Sequence, residues 1–229
     1  MIFYICVGSN SRAAARFYMP PRPHSAKGKE PHMSTTAAKT NETVKSRMST
    51  RDIVLIGMFA ALLAAFSQIS LPMPTGVPIT IQAFGVALVG VVLGWKRALF
   101  STIVYILLGA VGLPVFANFQ GGLRVITGLT GGYILAWPVM AALCGASIPV
   151  KSASAPVSLF FSIVLSVTGM LVMEAAGGLQ WALLAGDKSF GMIMAYSFTA
   201  FIPKDTALTI AAVIAGRQIR RTLVRGGFI

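Results

Sequence analysis

Charge and cysteine are both scarce in this sequence, and each shortage rules something out. Charged residues make up 11% of the chain, with only 6 Asp and Glu. A soluble domain carries about 25% charged residues. With 55% hydrophobic residues and a mean hydropathy of +0.77, the composition is that of an integral membrane protein. The 2 cysteines, Cys6 and Cys144, lie far apart, one in a polar tail and one in an apolar run, so no disulfide frame or metal spacing follows from them. Both histidines, His24 and His32, also precede the apolar body. That body therefore has no Ser/His/Asp or Cys/His pairing and no phosphate-cradling loop. A membrane enzyme would have only Asp205 and Glu174 to work with, so the expectation is no enzyme, no cofactor and no metal.

What is abundant is positive charge at the two ends. The net charge of +13 invites a nucleic-acid reading, but 9 of the 19 Lys and Arg residues lie in positions 1–51, and Arg217, Arg220, Arg221 and Arg225 close the chain. Basic flanks around an apolar body follow the positive-inside rule and argue against nucleic acid. Positions 1–50 are polar and punctuated by Pro20, Pro21 and Pro23, and read as a disordered basic tail. Two origins stay open. One is a start assigned upstream of Met33 or Met48; the other is a cytoplasmic tail that touches anionic lipid.

Residues 51–225 divide into apolar stretches of the ~20 residues that a ~30 Å hydrocarbon core demands. These are Ile53–Leu71, Val77–Trp95, Ala98–Ala117, Tyr133–Val150 and Pro156–Ala176, and then a sixth helix starting near Pro203. Either one long span carries a charged kink at Pro203-Lys204-Asp205, or a short interfacial segment precedes the sixth; the second is preferred, because proline suits the first turn of a helix better than its interior. The expected fold class is an all-α membrane protein, a six-helix bundle. Lys45, Arg47, Arg51, Lys96, Arg97, Lys151 and the last arginines fall on one face, which places both termini in the cytoplasm, in a multi-pass inner-membrane protein. The opposite, outer face gathers three irregular segments, Pro72–Pro78, Gly112–Tyr133 and Pro203–Asp205, which converge on an outward-facing ligand pocket. Arg124 is the one cation in the second of these, and a charge there is costly enough to imply a task. Glu174 is expected at the water interface near the outer end of the fifth span. On the first span, alanines four apart (Ala60 with Ala64, Ala61 with Ala65) permit close helix approach, either within the bundle or against a partner.

The order Val77-Pro-Ile-Thr-Ile-Gln82, Gly109-Ala-Val-Gly-Leu-Pro-Val-Phe116, Gly121-Gly122, Thr130-Gly-Gly-Tyr133 and Pro203-x-Asp205 resembles the BioY family. These are the biotin-binding S components of energy-coupling-factor (ECF) vitamin transporters. The resemblance runs from about Ile53 to Gly216. It implies a six-helix bundle with a pocket near the outer face. It also implies partnership with a transmembrane coupling protein and ATP-binding subunits, docked through the first helix, here Ala60 and Ala64. Whether such a protein transports alone stays open, as does an S component for another vitamin. Two departures stand out: Leu129 replaces the family's proline, and Leu208 replaces a lysine three residues after the aspartate. Lys204, one helical turn before Leu208, is the expected substitute.

Biotin offers two ureido N–H donors, one carbonyl acceptor, an apolar thioether and chain, and an anionic tail. Asp205 suits the donors and Asn118 the carbonyl. Arg124 or Lys204 suits the carboxylate, with Arg favoured for its bidentate fork. Phe116, Tyr133 and Trp137 wall the apolar part, and Gln82 adds a hydrogen bond. Against these stand plainer roles: Lys204 and Asp205 as the water boundary of the last helix, Arg124 snorkelling to lipid, and Phe116 and Trp137 as core.

Overall fold

Residues 48–146, 155–186 and 190–229 are described in this computed structural model. The expectations for positions 1–47 of the tail and for Lys151 lie outside them. Helix α1 (Thr50–Gln68) starts where the Ser49 backbone N–H donates to the Asp52 carboxylate at 3.1 Å, which satisfies one donor at the helix start. Ile56, Phe59, Ala60, Leu63 and Ser67 form its buried stripe at helical spacing. A two-residue strand β1 (Ser70–Leu71) pairs antiparallel with β2 (Ile79–Thr80), Ser70 opposite Thr80. Helices α2 (Gln82–Leu93) and α3 (Trp95–Ala110) follow. A 3-10 turn (Ala117–Phe119), the short α4 (Leu123–Thr127), α5 (Gly131–Ala146), α6 (Ala155–Leu184) and α7 (Phe190–Arg225) complete the order.

Helix α2 is buried at every position but Phe84, the mark of a central helix. It packs against α5, α7 and α3, while α5 and α7 both pack on α6 and α1 lies on α3. Apolar side chains gain little by leaving lipid for each other, so such contacts rest on close van der Waals fit and small residues. Gly132 of α5 is an instance: a Cβ there would overlap the Ala176 carbonyl of α6.

Helices α1, α6 (from Val157) and α7 are long and apolar enough to cross a membrane, with mean hydropathies of 1.6, 2.0 and 1.4. Helices α2 and α5 are shorter apolar helices. The expected second span loses its first five residues to β2 and its approach, because Gln82 is the first residue of α2. The fifth stretch extends to Leu184 rather than ending at Ala176. The sixth corrects the expectation outright. Pro203 lies inside α7, which runs unbroken from Phe190, and no separate interfacial segment precedes it. An interior proline forfeits a backbone bond at a cost of about 3 kcal/mol. Here Phe201 and Asp205, buried on either side of it, anchor the helix through that point.

The two ends of the bundle differ in charge. Arg97 pairs with Asp52 at 2.6 Å, Arg220 donates to the Val92 carbonyl at 2.6 Å, and Arg51 donates to the Gly227 carbonyl at 2.8 Å. These contacts gather the starts of α1 and α3 and the ends of α2 and α7 into one basic end. The hairpin, the 3-10 turn and α4 occupy the other end.

The strip of small residues on α1 divides by exposure. Ala60 is 1% exposed and Ala64 half-buried, because both lie on or beside the inward stripe. One residue further round the helix, Gly57, Ala61 and Ala65 are exposed, and a Cβ added at Gly57 would meet nothing within 4 Å.

Candidate functional site

The end of the bundle opposite the basic cluster holds a cavity of about 630 Å³, within the roughly 300–1,000 Å³ typical of small-ligand pockets. All seven residues expected from the sequence line it: Gln82, Phe116, Asn118, Arg124, Tyr133, Lys204 and Asp205, with Trp137 beside them. They come from α2, the 3-10 turn and its approach, α4, α5 and α7.

The walls are built by packing. Phe116 is 1% exposed, its ring set edge-on to Tyr105 at 5.7 Å. It fits only because residue 109 is glycine, since a Cβ there would overlap the ring. Tyr105 also lies 5.7 Å from Trp137, and its hydroxyl donates to the Val115 carbonyl at 2.9 Å. The Tyr133 hydroxyl pairs with that of Ser197 at 2.8 Å, and its ring meets Phe201. Tyr133, held in this way, lines the cavity.

The loop carrying Asn118 is clamped from the end of α1. Ser67 donates to the Val115 carbonyl, the Gln68 amide donates to the Phe116 carbonyl at 3.1 Å, and the Phe119 N–H donates to Gln68 Oε1 at 3.0 Å. These bonds hold Asn118 and Phe119 at φ 58° and 55°, a region non-glycine residues seldom occupy and that collects at ligand sites. Asn118 itself is exposed.

Polar groups divide by depth. Asp205 is 4% exposed and Gln82 3%, whereas Arg124 on α4 is exposed. The Arg124 guanidinium makes no hydrogen bond or ion pair among the described residues, so its five donors remain for a ligand. Lys204 is more committed. Its ammonium lies 2.6 Å from Asp205 Oδ1 and 2.9 Å from the Thr80 carbonyl, and 5.6 Å over the Phe201 ring. Lys204 and Asp205 thus sit within α7 against the cavity rather than at a helix start, and Leu208 does not line it.

Glu174 is the residue sequence reasoning misplaced. It is 1% exposed, lines the cavity and lies beside Asp205. Its position inside an extended α6, rather than at the end of a shorter one, puts it within the bundle. The length of α6 beyond Gly177-Gly178 is the signal that could have found it. Among the described residues no cluster of His, Cys, Asp and Glu could hold a metal ion.

A sequence profile described as "BioY family" matches residues 38–225. This chain belongs to the BioY family. Among its relatives, "Probable biotin transporter BioY" of Pyrococcus horikoshii is 34% identical, covering 76% of this chain and 98% of its own. "Biotin transporter BioY" of Rhodobacter capsulatus is 36% identical, covering 74% and 93%. A solved structure, the S-component for biotin from an ECF-type ABC transporter, superposes with a TM-score of 0.67 at 21% identity. It covers 76% of this chain and 95% of that one. That superposition establishes shared architecture, and the named relatives are transporters rather than enzymes.

Proposed function

We propose that this BioY-family chain is the biotin-binding S component of an ECF-type importer in the cytoplasmic membrane. Six helices (α1, α2, α3, α5, α6 and α7) form the transmembrane bundle, the basic end faces the cytoplasm, and the cavity opens outward. The single observation behind the reading is the sorting of groups in one cavity: a buried carboxyl at depth, aromatic walls, and an unpaired guanidinium on an exposed helix. Biotin matches that order, with its ureido head on Asp205, its apolar rings against Phe116, Tyr133 and Trp137, and its carboxylate on Arg124. Asn118 and Gln82 supply neutral amide contacts. Lys204 supports Asp205 and keeps at most one donor for ligand, so Arg124 takes the tail.

Energy for uptake comes from separate ATP-binding subunits through a transmembrane coupling protein. Its helix packs on the exposed face Gly57, Ala61 and Ala65 of α1, which replaces Ala60 and Ala64 in that role. The test is equilibrium binding of labelled biotin to the purified protein, with unlabelled biotin and unrelated vitamins as competitors. Saturable binding displaced by biotin alone supports the reading, and absence of biotin binding rejects it.

A further inference from the structure

Glu174 Oε2, a buried atom on a residue that lines the cavity, lacks a hydrogen-bond partner among the described residues, whereas the equally buried Gln82 amide lies beside the Tyr105 hydroxyl. Thr75 and Thr209 also carry hydroxyls without a partner among the described residues, but neither lines the cavity. Buried polar atoms are nearly always satisfied, because leaving one unpaired forfeits the water it gave up. A carboxyl on the lining of a site meets that need when a ligand's donor reaches it.

Glu174 and Asp205 approach the cavity from different helices, α6 and α7, and their carboxyls are neighbours. Lys204 is taken up by Asp205 Oδ1 and the Thr80 carbonyl, and Glu174, whose carboxyl interacts with that of Asp205, keeps Oε2 without a partner among the described residues. Ionised or protonated, a carboxyl retains acceptor capacity. Two such groups lining one cavity suit a head that carries two N–H donors.

We propose that Glu174 is a specificity-determining residue of this site, accepting one ureido N–H of the ligand while Asp205 accepts the other. The proposal rests on the biotin reading above. It follows that the site demands both N–H groups. A pocket built to hydrogen-bond a donor rejects analogues lacking it far more strongly than an apolar pocket rejects a change of size.

The experiment measures binding of biotin and of its two mono-N-methyl ureido isomers to the wild-type protein, Glu174→Met and Glu174→Gln. Wild type should bind biotin and penalise both isomers. Glu174→Met removes the acceptor at similar length. It should weaken biotin by at least about tenfold, and the penalty for one isomer alone should shrink to less than about threefold. Glu174→Gln keeps an acceptor oxygen, so it should retain the penalty for that isomer. A merely structural role would move both isomers together. Unchanged biotin affinity in Glu174→Met, equal penalties for both isomers there, or loss in Glu174→Gln of the penalty for the isomer that Glu174→Met tolerates each overturns the proposal. Wild-type protein that fails to bind biotin rejects the biotin reading itself, whereas wild-type binding with an indifferent Glu174→Met rejects only the role of Glu174.

Discussion

The Ser70 hydroxyl donates to Asn118 Oδ1 at 2.8 Å, across a gap of 48 residues. This bond fixes which way the Asn118 amide points, leaving its NH₂ as the end available to a ligand carbonyl. Ser70 in turn pairs with Thr80, whose carbonyl holds Lys204. The small hairpin thus links Asn118 to the Lys204–Asp205 pair. Ser70→Ala should free the amide to flip and weaken biotin about threefold to tenfold, the range of one neutral hydrogen bond. Calorimetric titration of the variant checks this, and unchanged affinity would remove Asn118 from the contact set.

Asp205→Asn should weaken biotin by more than about tenfold, since hydrogen bonds to charged groups contribute about 1.5–3 kcal/mol. The substitution also breaks the 2.6 Å pair with Lys204. Equilibrium dialysis gives the dissociation constant, and a value equal to wild type would exclude Asp205 from the site.

Arg124 separates tail recognition from head recognition. Arg124→Ala should cost biotin about tenfold or more, while a neutral biotin amide, which lacks the anion, should bind wild type and variant alike. Parallel losses for acid and amide would assign Arg124 a structural role.

The two faces of α1 predict opposite behaviour. Ala61→Trp and Gly57→Trp project into open space. They should leave biotin binding intact while abolishing co-purification with the coupling protein and ATP-driven uptake. Ala60→Trp instead forces a large ring into a site 1% exposed, where overpacking costs about 1–3 kcal/mol or more. It should lower the melting temperature of the isolated protein. Normal assembly of Ala61→Trp and Gly57→Trp would move the docking face elsewhere.

Much of the site was legible because its residues are chemically unusual for a membrane chain. Arg124, Asp205 and Lys204 are expensive in lipid, and glycine and proline mark the irregular segments that meet around them. Two things were not legible. Helix phase could not be read on α1, where four small residues in two adjacent pairs satisfy either face. Only the packing of Phe59 and Leu63 selects Ala60 as the inward one. Helix continuity through Pro203 was likewise hidden, because the local cost of proline is a property of the chain while the anchoring by Phe201 and Asp205 belongs to tertiary structure. The same blindness to length misplaced Glu174.

Ser67, Gln82, Phe116, Tyr133, Glu174 and Asp205 reach the cavity from six segments spread over almost the whole described chain. No contiguous fragment contains the site, so occupancy is thermodynamically linked to the integrity of the entire bundle. Ligand that binds only the assembled form adds about 2.7 kcal/mol of stability at a concentration one hundred times its dissociation constant. Biotin should therefore raise the unfolding temperature as one cooperative transition and protect α1 and α7 from proteolysis together. Biotin bound as proposed would act on this protein as a late-arriving structural member, distributed over its fold.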